Sequence, residues 1–265
     1  MLENWKEKTK KLEDLLRLRG HPIAISFLRK VKDADNIPKV RKDDTMLTTC
    51  QRFTQARIFG FTTVETALNT LPSCSYIMGL VPVAKEISDG SVTTGIWCET
   101  QADARKRASA FPVIPFGDHE AMVISSLERV SLDPDVILVY GNPAQIALLI
   151  NGFQWEPYQL VKGLVTGGST CAVSVANCYL TREPSLALPD YGERRYGHVA
   201  DDEVSIAFPA ADLDKILIGL DALSKTGVSY PISVYGAQIS AYNGMPASYR
   251  KLMDKQLEEA RRRTT

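Results

Sequence analysis

Apolar side chains fall on one face of the opening segment, Leu2–Leu18, where Trp5, Leu12, Leu15, Leu16 and Leu18 sit among lysines and glutamates. That spacing predicts an amphipathic helix stopped by Gly20 and Pro22. HPIAISFL, residues 21–28, reads as a strand. Residues 29–44, charged and holding Pro38, read as a surface loop. From Thr45 the apolar positions Met46, Leu47, Cys50 and Phe53 share a helical face, with Gly60 as the stop, so Cys50 is expected to point into the core. SCSYIMGL predicts a helix capped by Ser73, and a further helix is expected over Thr100–Ala110.

Two apolar runs, AMVISSLERV and DVILVY, joined by SLDPD, predict a hairpin. The second run leads into GNPAQIALLINGF. Asn142 is a good N-cap there and Pro143 suits the first helical turn, with Ile146, Leu149, Ile150 and Phe153 as the stripe. EVSIAF followed by PAADLDKILIGLDAL repeats the order strand, Pro-Ala, helix. Its stripe is Leu213, Ile216, Leu217, Leu220 and Leu223, with Gly227 beyond it. Two cysteines also occupy similar settings, SCSYIMGL and STCAVSVA. Together these suggest a faint internal duplication, although strand–helix units share such signals in any case. The chain closes with ISVYGAQISAY and a charged helix over Pro246–Arg263. Strands and helices mixed without strict alternation predict an α+β fold: a mixed, largely antiparallel sheet with flanking helices, in a single domain over residues 1–265.

Composition removes several function classes. Lysine plus arginine and aspartate plus glutamate each number 31, so the net charge is zero and nucleic acid is not an expected partner. The runs Arg105–Arg107 and Arg261–Arg263 read as solvated faces. The N-terminus is too charged for a signal peptide, and no run of about 18 apolar residues exists to span a membrane. A soluble, cytoplasmic protein without a membrane partner is the expectation. The five cysteines are an odd count with no secretory signal, which argues against a disulfide framework.

The chemistry must then lie in those thiols or near them. In GLVTGGSTCAVSVANCYL, Gly167 and Gly168 free the backbone, and Ser169 or Thr170 would cap a helix with Cys171 in its first turn. Unpaired N–H groups and the helix dipole there favour a thiolate, which is both nucleophile and metal ligand. The plainer alternative is a small apolar residue beside a turn. Cys178, seven residues on, suits the core, and Cys98 has no informative context. No CxxC pair exists, so a metal site would need cysteines from separate segments: Cys50, Cys74 and Cys171. Three thiolates with one open position would suit an iron–sulfur cluster. In DYGERRYGH, Glu193, Arg194, Arg195, Tyr196 and His198 cluster beside glycines, and an arginine fork suits a carboxylate; a salt-bridged loop is the alternative. Asp118, His119 and Glu120 read as a polar loop. There is no P-loop, no GxGxxG after a strand, no HExxH and no GxSxG.

Several of these features occur in one order. Thr49-Cys50-Gln51 precedes Gly60, Cys74 precedes Gly79, and VILVYGNPAQIALL follows. The Gly/Ser-preceded Cys171 comes next, then GERRYG before DDEVSIAFPAADL. In this the chain resembles the domain-of-unknown-function family 169, from about His21 to about Leu223. The resemblance implies that Cys50, Cys74, Cys171, Asn142, Pro143, Gln145 and the Gly192–Arg195 loop are the matching motif positions. It also favours a cysteine-held site. Asp190 and Tyr191 stand before GERR where a further cysteine would fit the family's habit, which favours three thiolates, or a site without metal, over four.

Three functions follow as expectations. The first is an enzyme or redox protein in which Cys50, Cys74 and Cys171 hold an iron–sulfur cluster or another soft metal. Arg194 and Arg195 would orient a small anionic organic substrate, with Tyr196, Asn142 and Gln145 beside it. The second is a metal-free enzyme with Cys171 as nucleophile and His198 or His119 as base. The third is a non-catalytic small-molecule or cofactor-binding protein whose cysteines are structural. The amphipathic terminal helices leave room for a homo-oligomer without requiring one.

Overall fold

The computed structural model describes residues 4–41 and 44–264. Leu2, at the start of the expected first helix, and Lys42 and Asp43 of the expected loop lie outside the described residues. Two compact units emerge, residues 1–230 and 231–265, where the sequence suggests one domain. The second carries the closing helix α10 (Ala247–Thr264).

The centre of the first unit is a seven-stranded sheet in the order β2-β3-β1-β4-β7-β6-β5. The strands are β1 (Ile23–Leu28), β2 (Thr63–Thr66), β3 (Ala121–Ser126), β4 (Val136–Gly141), β5 (Lys162–Gly163), β6 (Ser185–Ala187) and β7 (Val204–Pro209). Every pairing is antiparallel except β5 with β6, as the α+β expectation requires. The hairpin expected from β3 to β4 does not form. β1 lies between them, pairing Ile23 with Ser126 on one side and with Leu138 on the other. Both neighbours run antiparallel to β1 and hence parallel to each other, so no tight turn could join them. A 3-10 turn at Leu127–Arg129 starts the crossing instead, anchored where the Leu127 N–H donates to the Pro22 carbonyl at 2.8 Å.

Among the described residues of this unit nine α-helices flank the sheet: α1 (Trp5–Leu16), α2 (Thr49–Phe59), α3 (Pro72–Ser75), α4 (Lys85–Ser88), α5 (Gln101–Ser109), α6 (Pro143–Phe153), α7 (Asn177–Thr181), α8 (Tyr191–Gly197) and α9 (Leu213–Lys225). On one face of the sheet α1, α6 and α9 bury Leu12, Leu16, Ile146, Leu149, Phe153, Leu213, Ile216 and Leu220 against Ile137, Val139, Ile206 and Phe208. α6 starts as its sequence dictates. Asn142 accepts the Gln145 N–H, the Gln145 side chain returns to the Asn142 N–H, and Pro143 fills the first turn. α6 and α9 cross at two glycines. A Cβ on Gly219 would stand 2.1 Å from the Gly152 carbonyl oxygen, and one on Gly152 would stand 2.9 Å from that of Ile216.

The other face carries Ile25, Ile124, Leu138, Tyr140 and Ala207, covered by α2, α3 and the helical segment around 172–178. α2 is capped by Thr48 and closed by Gly60 in the left-handed region, φ 64°. Leu71 rather than Ser73 precedes α3, because Pro72 takes its first position. GERRYG is a helix and not a loop, since Asp190 caps it by accepting the Glu193 N–H. Three short strands, β2, β5 and β6, are invisible in the apolar pattern. No helix among the described residues is long and apolar enough to cross a membrane.

Gly219→Ala forces two helix backbones apart, and we expect it to lower unfolding stability by at least roughly 1–3 kcal/mol. Urea denaturation of the purified variant checks this; a midpoint unchanged from the parent protein would mean that the crossing is loose.

Candidate functional site

The covered face has a hollow between its roofing elements, about 610 Å³ in volume. Three cysteines from three separate segments line it: Cys50, Cys74 and Cys171. Each is set there by local structure. Thr48 caps α2, its hydroxyl accepting the Gln51 N–H at 3.1 Å while the Gln51 side chain accepts the Thr48 N–H at 2.9 Å. That box puts Cys50 in the first turn, where its thiol donates to Thr48 Oγ1 at 3.1 Å. Cys50 thus faces the hollow, while Phe53 on the same helix takes the core position expected for both. Cys74 sits within α3, its N–H donating to the Leu71 carbonyl at 2.8 Å.

Cys171 follows the Gly-Gly turn. Ser169 adopts the left-handed region, φ 58°, and the chain then winds into a helix whose Ala172–Ala176 stretch is a π-helix. Asp190 pins this entry. Its Oδ2 accepts the Thr170 N–H at 2.8 Å, its own N–H donates to Thr170 Oγ1 at 2.8 Å, and its Oδ1 caps α8. So the residue standing where a fourth cysteine would fit is a clamp between the third cysteine's segment and α8. α8 in turn lies hard on α2: a Cβ on Gly197 would be 3.1 Å from that of Cys50, and the Thr54 hydroxyl donates to the Gly197 carbonyl.

The thiols are held protonated. Burial pushes Cys50 up to about 12, the Thr48 hydrogen bond offsetting part, and Cys74 and the carboxylates of Glu193 and Asp190 raising it further. Burial pushes Cys74 up to about 11. Cys171 is raised well above the ordinary thiol value by burial first, then by Cys74 and Cys50. The three cysteines are therefore close enough to weigh on one another's ionisation. Desolvation and nearby acids oppose the thiolate that a helix start would favour at Cys171.

A polar layer lies beneath. Tyr140 of β4 donates to Glu193 Oε1 in a short hydrogen bond, and the Arg57 guanidinium sits 4.6 Å over the Tyr140 ring while pairing with Glu203 at 3.1 Å. Glu193 lines the hollow, and its Oε2 has no hydrogen-bond partner among the described residues. Burial raises its carboxyl to about 7. Behind Cys74, Thr49 Oγ1 meets the buried Glu65 Oε2 at 3.2 Å, and burial raises Glu65 to about 7 too.

The remaining expected site residues scatter. Tyr196 lines the hollow. Arg194 and Arg195 do not: Arg194 turns to the Ala200 carbonyl and Asp201, and Arg195 bonds Tyr191 at 2.7 Å over exposed rings. Asn142 and Gln145 work on the opposite face, Asn142 donating to Tyr230 and Gln145 to the Leu16 and Arg17 carbonyls. His198 is the exposed, left-handed C-cap of α8. His119 is buried edge-on to Phe27 and lines a different hollow. Neither histidine is among the residues that line the hollow with Cys171. Cys178 is core, and Cys98 does not line the hollow. Arg107, expected on a solvated face, and Trp97, not expected at a site, do line it. Among the described residues no group of three or more His, Cys, Asp or Glu side chains is arranged to hold a metal ion.

The family model described as Uncharacterised ArCR matches residues 11–219. An uncharacterized protein, MJ0308, of Methanocaldococcus jannaschii is 25% identical over 224 residues, 82% of this chain and 93% of its own length. No solved structure matches.

Glu65 and Glu193 have folded pKa values near 7 against an ordinary 4.5, so the folded state favours their protonated forms. Their contribution is fully present below about pH 4.5 and is lost as pH rises through 7. Denaturation midpoints should fall between pH 5 and 8, by on the order of 3 kcal/mol at most for each carboxyl. Glu65→Gln should flatten that profile; a parent curve flat over this window would contradict the burial argument.

Proposed function

The chain belongs to the domain-of-unknown-function family 169, and we propose that its thiol-lined hollow is the working site of a cytoplasmic enzyme or redox protein. In this reading Cys50, Cys74 and Cys171 hold a thiophilic centre beside a small organic molecule. The observation that carries it is the meeting of three cysteines, from segments far apart in sequence, on the wall of one cavity. Core packing alone gives no reason for three thiols to gather there while Cys178 goes to the core.

The donor set suits an iron–sulfur cluster better than a single ion. Among the described residues no trio is arranged around one ion, whereas cluster thiolates each ligate a separate iron and need not crowd together. A bound cluster would supply electron exchange or Lewis-acid activation at an iron lacking a protein ligand. The chain's own part is to shield and orient. The thiols are protonated at neutral pH when alone, and a cation compensates the charge that burial disfavours, so loading releases protons. Thr48 fixes the side chain of Cys50 by a hydrogen bond. Asp190 fixes the backbone entering Cys171.

A second reading is binding without chemistry. It is favoured by the protonated thiols and by a lining rich in apolar side chains, among them Leu71, Ile77, Ile87, Val92 and Trp97. One experiment separates the two. Protein purified without oxygen should carry iron and acid-labile sulfide. Alanine at Cys50, Cys74 or Cys171 should abolish both, while Cys98→Ala and Cys178→Ala retain them. Colourless protein free of iron and sulfide would leave the binding reading alone.

A further inference from the structure

We infer that Arg107 is the residue that binds the anionic group of the cavity's ligand, which makes that ligand a small acid with an apolar body. Arg107 belongs to the last turn of α5 and its side chain enters the hollow. Its guanidinium lies over two rings, 4.8 Å from the Phe111 centroid and 5.6 Å from that of Trp97. Those rings fix its plane without using its N–H groups. Among the described residues the Arg107 guanidinium has no hydrogen-bond or ion-pair partner; it rests on the two rings and against Gly168. An arginine carries five donors in a rigid fork matched to a carboxylate. A half-buried fork with every donor unused, facing a cavity, is a binding group awaiting an anion.

The acids around the cavity do not meet that need. Asp190 spends both oxygens on the Thr170 and Glu193 N–H groups. Glu193 is held by Tyr140, and Glu86 is solvent-exposed at the rim. The Gly-Gly turn supplies a second, independent sign. A Cβ on Gly168 would stand 2.2 Å from Arg107 Nη2. The fork therefore lies directly on the backbone three residues before Cys171, and any side chain at 168 would displace it. An anion on Arg107 would lie beside the thiol wall, with its body against Leu71, Ile87 and Val92. The cavity's size is in the range of ordinary small-molecule sites. Arg194 and Arg195, the anchors the sequence suggests, are engaged outside it. The inference rests on this cavity being the working site, but not on the thiols holding a metal.

The test uses two fluorescent probes that differ by one charge. 8-Anilinonaphthalene-1-sulfonate carries a sulfonate, and N-phenyl-1-naphthylamine is the same body without it. Parent protein should bind the sulfonate more tightly than the neutral probe. 4-Phenylbutyrate should displace the sulfonate probe, and 4-phenylbutyramide should not. Arg107→Gln should weaken sulfonate binding roughly 10- to 100-fold and leave the neutral probe unchanged. Gly168→Ala, which pushes the fork aside without removing it, should weaken the sulfonate in the same selective way. Equal losses for both probes, no change in either, or no probe binding by the parent protein would each overturn the assignment. Iron and sulfide assays on the same samples keep the two questions apart: absent metal with selective loss of the sulfonate would sink the cluster and leave Arg107 standing.

Discussion

The central strands of this sheet present side chains to two faces, and both faces are dry. β3 and β4 are buried along their whole length. One face is sealed by α1, α6 and α9, drawn tight where Gly152 meets Gly219. With that side closed, any site must form on the other, among elements too short and too irregular to pack as a flat layer. The hollow is what remains where α2, α3, α5, α8 and the turn before Cys171 fail to fill the roof. Its chemistry comes from helix starts and turns because the strands beneath are committed to the core.

Between strands and thiols lies a thin layer of buried polar groups: Arg57, Tyr140, Glu193 and Glu203 on one side, Thr49, Glu65 and Arg52 on the other. Such groups are costly to bury unless paired, and most here are. They hold α2 and α8 in fixed relation to β4, and their acids keep the neighbouring thiols from ionising alone.

Much of the scaffold was legible because local signals agreed with the global fold. α6 has its N-cap, its proline and its stripe; α2 has its cap and its closing glycine. The failures have physical causes. β3 and β4 look like a hairpin because the turn signal is local, whereas the strand inserted between them comes from a hundred residues earlier. β2, β5 and β6 are too short for their periodicity to register. YGERRYG reads as a loop because glycines flank it, yet Asp190 caps it. The cysteine trio could be suspected from the absence of CxxC and from the family's motif order, but no spacing rule brings residues 50, 74 and 171 together. Arg107 was hidden in a charged run that looked like solvated surface. The pairing of Arg107 with Phe111 one turn later was the signal available, and it gained meaning only with Trp97 and Gly168 in place.

The π-helix at Ala172–Ala176 settles how the two late cysteines part company. In regular α-helical winding, positions seven apart lie on nearly the same side. The wider turn, with the Ser185 hydroxyl donating to the Val173 carbonyl at 2.6 Å, lets Cys171 open toward the hollow while Cys178 stays inside. A π-turn amounts to one extra residue in the winding. Dropping that residue would swing everything before it by about 100° and carry the third sulfur off the wall, with every cysteine still in place. Among relatives of this chain, segment length between the Gly-Gly turn and β6 therefore carries as much information about the site as the letters themselves.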